Sequence, residues 1–129
     1  MNPLELALAR SKAYALFEML YLKGITPSSK NSIQQIPELS DCIDFDRGYD
    51  EFAADHYSIF VHNLPPYASI FLEEEGQPGG EVTENTMRVF RGCGYKPSTT
   101  SEAADHIGHI MGCLSFICGA ESDLSLIHI

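Results

Sequence analysis

Proline and glycine cut this chain into four stretches of helical periodicity, and none of the intervening sequence alternates as a strand would. Asn2 followed by Pro3 is a helix start, a capping side chain and then a residue whose missing N–H costs nothing at the first helical position. Leu4, Ala7, Leu8, Tyr14, Phe17, Leu20 and Tyr21 then recur at helical spacing until Gly24. A second pattern begins near Asp46 and places Tyr49, Phe52, Ala53, His56, Ile59 and Phe60 on one face before Pro65 and Pro66 end it. The third, "VTENTMRVFRGCG", turns Val82, Thr86, Met87 and Phe90 inward and stops at Gly94. The fourth follows "YKPSTTSEAADH": Thr100 or Ser101 is its expected cap, and Ile107, Ile110, Met111, Leu114, Ile117 and Cys118 form its apolar stripe. Between the first two lies "ITPSSKNSIQQIPELSD", read as a loop or one short helix. The pattern predicts an all-α bundle of about four main helices.

Charge narrows the partners. With 18 acidic against 8 basic side chains, the net charge is -10, which argues against nucleic acid, whose phosphates need Lys and Arg. An acidic surface suits a basic peptide or protein segment. No stretch approaches the roughly 20 apolar residues of a membrane span, and the start of the chain lacks the basic, then apolar, organisation of a secretory signal. Cys42, Cys93, Cys113 and Cys118 contain no CxxC pair and read as reduced thiols, mostly small core residues, in a cytoplasmic protein. The last six residues, "LSLIHI", resemble the translated end of a transposase-library adaptor. Residues 124–129 are therefore expected to be a non-native tail on a domain spanning 1–123.

Two segments hold groups that could carry chemistry. In "LPPYASIFLEEEGQPGG" a proline corner leads through aromatic residues to Glu73, Glu74 and Glu75. Carboxylates beside aromatics suit a peptide with both apolar and cationic side chains. The loop with Gly76, Gly79 and Gly80 has no P-loop lysine and follows three glutamates, so it reads as a turn. In "SEAADHIGHIMGC", His106, His109 and Cys113 at i, i+3 and i+7 of a helix, with Glu102 one turn earlier, would share a face. That spacing suits a metal, although helical metal sites usually draw ligands from two elements. A helical metal-binding protein using His106, His109 and Cys113 is one alternative, and a generic helical interaction domain another. No hydrolase motif is present.

Taken in order, "ADHYSIFVHNLPPYASIFLEEEG" and "SEAADHIGHIMG" resemble the TorD/DmsD family of cytoplasmic redox-enzyme maturation chaperones across roughly residues 10–121. The shared features are the proline–aromatic–Ser–aromatic corner, Pro66, Tyr67, Ser69 and Phe71, and the Glu-Pro-x-Asp-His signature, here Glu102, Ala103, Ala104, Asp105 and His106. Ala103 stands where the signature has proline, and Gly108, His109, Ile110 and Gly112 stand where family members often carry acids. The resemblance implies the N-terminal and central part of an all-helical fold, incomplete at its C-terminus. It implies no enzymatic activity and no cofactor. The partners would be the twin-arginine signal peptide and the apo-form of a molybdoenzyme catalytic subunit; separately, a fourth helix that has lost its C-terminal packing partners is expected to suit pairing with a second copy of the chain. The expected peptide-binding residues are Pro66, Tyr67, Ser69, Phe71, Glu73, Glu74, Glu102, Asp105 and His106. In that arrangement Ile70 and Phe71 pack the corner onto the first helical unit, while Tyr67 and the glutamates face a groove.

Overall fold

The computed structural model of the chain describes residues 2–74 and 79–127, the last three as backbone only. Expectations concerning Glu75, Gly76, His128 and Ile129 lie outside these residues. Seven α-helical segments are found among the described residues: α1 (Pro3–Lys23), α2 (Pro27–Gln34), α3 (Pro37–Ser40), α4 (Tyr49–His56), α5 (Ala68–Leu72), α6 (Glu81–Cys93) and α7 (Ile107–Ile127). A π-helical segment, Tyr57–Asn63, continues α4. The fold is all-α.

Helix α1 starts as its sequence requires. Asn2 Oδ1 accepts the Glu5 N–H at 2.8 Å and Glu5 reaches back to the Asn2 N–H at 3.3 Å, so two otherwise unpaired donors are satisfied reciprocally. It ends at Gly24, whose φ of 77° favours glycine and whose missing side chain leaves room for the His56 ring. The segment read as a loop or one short helix holds two, α2 and α3, each opened by a proline at its first position. Ser29, fully buried, stitches the α1–α2 turn by accepting the Thr26 N–H and donating to the Gly24 carbonyl.

The centre of the fold is an antiparallel pair of 21-residue helices, α1 and α7. Leu22 faces Gly108, Glu18 faces Gly112 and Ser11 faces Ser115, so residue numbers fall on one helix as they rise on the other. The face that α7 turns inward differs from the expected stripe. Gly108, His109, Gly112, Cys113, Cys118 and Ser122 are buried, whereas Ile110, Met111 and Leu114 are half-buried and Ile117 is exposed. Leu22 and Glu18 leave no room for a Cβ at Gly108 or Gly112, so small residues stand on the face that α7 turns to α1. Ser115 Oγ fixes the register by donating to the Ser11 carbonyl at 2.8 Å, while Ser11 Oγ donates to the Ser115 carbonyl at 2.9 Å.

Other expectations also change. The Asp46–Phe60 pattern buries Phe52 alone, with Tyr49, Ala53 and Ile59 exposed. The backbone widens after His56, closing Leu64 N–H onto the Ile59 carbonyl at 2.6 Å, and this changes the angular spacing that the pattern assumed. In α6, Phe90 is buried and Val82 and Thr86 are half-buried, but Met87 is exposed beside a cavity. Finally, α7 begins at Ile107, so neither Thr100 nor Ser101 caps it, and Glu102 precedes the helix.

The α1–α7 packing gives a test. A Cβ on Gly108 would lie 2.5 Å from Leu22 Cγ, whereas one on Gly92 meets nothing within 4 Å. Gly108→Val is expected to lower unfolding stability by about 1–3 kcal/mol through overpacking. Gly92→Ala, on an open helical surface, should raise it by about 0.4–1 kcal/mol. Urea midpoints at constant m-value measure both.

Candidate functional site

The proline corner and the Asp-His segment, 36 residues apart in the chain, meet as two short extended pieces. Ile107 N–H donates to the Pro66 carbonyl at 2.8 Å and Ala68 N–H to the Asp105 carbonyl at 3.2 Å, pairing Tyr67 with His106 antiparallel. Asp105 secures this junction. Its carboxylate is fully buried and accepts the Ser69 N–H at 2.8 Å on one oxygen and the Thr83 hydroxyl at 2.7 Å on the other. Burial alone would raise the Asp105 pKa, but the hydrogen bonds from Ser69 and Thr83 prevail and hold it below the usual carboxylate value. Ser69, also fully buried, accepts the Gly79 N–H on its hydroxyl at 3.2 Å.

His106 supplies the cap that Thr100 and Ser101 do not. Its Nδ1 accepts the Gly108 N–H at 2.9 Å, at the second position of α7. An accepting Nδ1 requires the neutral tautomer with its proton on Nε2. Burial, then the neighbouring His109 and His56, lower the His106 pKa to about 4 against the opposing pull of Asp105. The Tyr67 ring stands edge-on to the His106 ring, with centroids 5.0 Å apart. Burial, followed by the charges of Glu102 and Asp105, raises the Tyr67 hydroxyl pKa.

Glu102 and His109 form a second, looser group. His109 is fully buried with neither ring nitrogen hydrogen-bonded to a protein group, and its Nε2 lies 3.6 Å from Glu102 Oε2, which also lacks a donor. Burial lowers the His109 pKa, with Glu102 and Glu18 opposing. His109 is therefore neutral near pH 7, so among the described residues no salt-bridge cation stands against the Glu102 carboxylate. Glu102 contributes to the walls of two cavities. One, of about 280 Å³, lies between Tyr21, His56, Phe60, Pro66, Tyr67 and His106. The other, of about 450 Å³, is lined by Thr83, Met87, Phe90, Tyr95, Pro97, Ala103 and Ala104 together with the cations Arg91 and Lys96.

The remaining expected site residues lie elsewhere. Phe71 is 65 % exposed and does not pack the corner onto the first helical unit; Ser69 is the residue driven inward. Glu73 Oε1 accepts the Val82 N–H at 2.6 Å, close to the α6 N-terminus where a carboxylate is favoured. Glu74 is exposed. Pro66 holds the junction through its carbonyl. Thr83, absent from the expected set, joins it, and the signal was available only as a hydroxyl one turn into a helix. The geometry also separates the proposed metal ligands. Since the helix starts at Ile107, Glu102 and His106 are not on it. His106 Nδ1 is taken by a backbone donor, and Cys113 Sγ lies 3.7 Å from Cys93 Sγ. Among the described residues no three His, Cys, Asp or Glu side chains are gathered as a metal would need.

The sequence profile of the nitrate reductase delta subunit family matches residues 27–126, a span containing the corner, the Asp-His segment and nearly all of α7. The chain belongs to the nitrate reductase delta subunit family. This is a TorD-type family whose members act as chaperones in molybdoenzyme maturation and work with nitrate reductase-type enzyme subunits. No match was found among curated proteins or solved structures. Among the described residues, no helix is long and apolar enough to cross a membrane.

The buried imidazoles set the acid response. The folded state protonates His106 only near pH 4, while the unfolded chain does so near the ordinary 6.5. Between those values the unfolded state binds more protons, so stability is full above about 6.5 and falls as pH drops toward 4. His109 is displaced in the same direction. Asp105 acts lower: its contribution is present above the ordinary 3.8 and is lost as pH falls through its depressed value. His106→Asn keeps a capping acceptor and removes this titration, so its loss of stability between pH 6.5 and 4.5 should be shallower than wild type. Parallel curves from urea melts would contradict the assignment.

Proposed function

We propose that this chaperone binds the twin-arginine leader of an apo-molybdoenzyme subunit in the cytoplasm and holds the subunit back until its cofactor is inserted. The observation that carries this reading is Glu102, a carboxylate between two cavities whose near neighbour, His109, is neutral. A guanidinium offers the planar donors such a carboxylate lacks, and it can stack on an aromatic face such as Tyr67. The apolar part of a leader then fits along Met87, Phe90, Pro97 and Ala103. Exposed Glu74 and the net charge of -10 favour the approach of a cationic peptide. Asp105, His106, Ser69, Pro66 and Glu73 shape the junction, and Tyr67 and Glu102 touch the peptide. The association is reversible and needs no cofactor of the chaperone's own.

Calorimetric titration with a molybdoenzyme twin-arginine leader tests this. Glu102→Gln, which keeps the shape and removes the charge, is expected to weaken binding about tenfold, or roughly 1.4 kcal/mol. Glu84→Ala, on the solvent face of α6, should leave it unchanged. Replacing both leader arginines by glutamine should abolish the difference between wild type and Glu102→Gln. Equal affinity for both leaders would instead identify a generic apolar surface.

A further inference from the structure

Gly94, with φ of 80°, ends α6 and leaves Cys93 as the last residue of that helix, opposite the second turn of α7. Cys93 Sγ and Cys113 Sγ are 3.7 Å apart across the α6–α7 contact, both as free thiols. A disulfide requires about 2.05 Å between sulfurs, so the two must close by roughly 1.7 Å. Their surroundings differ. Cys93 is half-exposed, whereas Cys113 is buried and burial pushes its thiol up to about 11. A reagent in solution therefore meets Cys93 first. Cys42, exposed before α4, and Cys118, buried further along α7, complete the set.

We propose that Cys93 and Cys113 are a redox modification site, converted to an intramolecular disulfide by a small-molecule disulfide such as oxidised glutathione. Cys93 loses its proton and its sulfur attacks the oxidant, forming a mixed disulfide and releasing one glutathione thiolate, which takes up a proton. Cys113 then attacks the Cys93 sulfur. The S–S bond to glutathione breaks, and the proton leaving Cys113 ends on the second departing glutathione. Two protein thiols are oxidised and one glutathione disulfide is reduced to two thiols. The new bond closes a loop over residues 94–112, which contains Glu102, Asp105 and His106 as well as Tyr95 and Pro97 of the larger cavity wall. Oxidation thus ties the end of α6 to α7 and closes the segment carrying the candidate site into a covalent loop.

The test is brief exposure of the folded chain to oxidised glutathione, followed by alkylation, denaturation and peptide mapping. The expected product links the Cys93 and Cys113 peptides, with the mass of two hydrogens lost and no glutathione retained on either. Cys113→Ser should instead accumulate a stable glutathione adduct on Cys93, because nothing is left to displace it. Cys42 reports whether the reagent acted. Modified Cys42 with Cys93 and Cys113 unlinked, or a lasting adduct on wild-type Cys93, overturns the proposal.

Discussion

A carboxylate removed from water is costly unless donors surround it, and this condition organises the middle of the molecule. Asp105 is fully buried and receives the Ser69 N–H and the Thr83 hydroxyl, while its own carbonyl receives the Ala68 N–H. These contacts join the proline corner, α6 and the start of α7. Once Asp105 is fixed, the next residue, His106, stands where its imidazole can cap α7. Glu102 then lies between the two cavities. The candidate site is a consequence of satisfying one buried charge.

The surrounding elements supply what that junction needs. Pro65 and Pro66 end the π-helical segment and leave the chain extended, the conformation in which Pro66 and Ala68 can pair with 105–107. Across the molecule, Gly108 and Gly112 admit Leu22 and Glu18, which sets α7 close against α1 beneath the site. Tyr95 donates to Glu18 at 3.3 Å and packs on Phe90 and Phe116, tying the loop after α6 to the same helix pair. Among the described residues the large apolar side chains that are buried are Leu16, Ile33, Phe52 and Phe90, and hydrogen bonds and close backbone approach act beside them.

Local signals in the sequence proved legible where a single residue type settles the conformation. Asn2-Pro3, Gly24, Pro65-Pro66 and Gly94 marked helix ends that the structure has, and the all-α class follows from them together with the helical spacing. Periodicity misled where tertiary contacts override it. Large apolar residues suggested one face of α7, whereas Gly108, Gly112 and Ser122 form the buried one. The same weakness placed Glu102 and His106 on a helix that starts only at Ile107. The proximity of the corner to Asp105-His106 was legible through the resemblance to TorD-type chaperones, not through any local rule. Thr83 was illegible, because its importance comes entirely from a partner 22 residues away.

Amide hydrogen exchange resolved to single residues probes the Asp105 junction most directly. Ala68 and Ser69 lie in a short corner segment that by length alone should exchange rapidly. The account predicts that their amides and that of Ile107 are protected together, far above the exposed 57–63 segment, and that Asp105→Ala releases all three at once. Rapid exchange of the Ser69 amide in the wild-type chain, or its continued protection in Asp105→Ala, would contradict the claim that one buried carboxylate holds the site together.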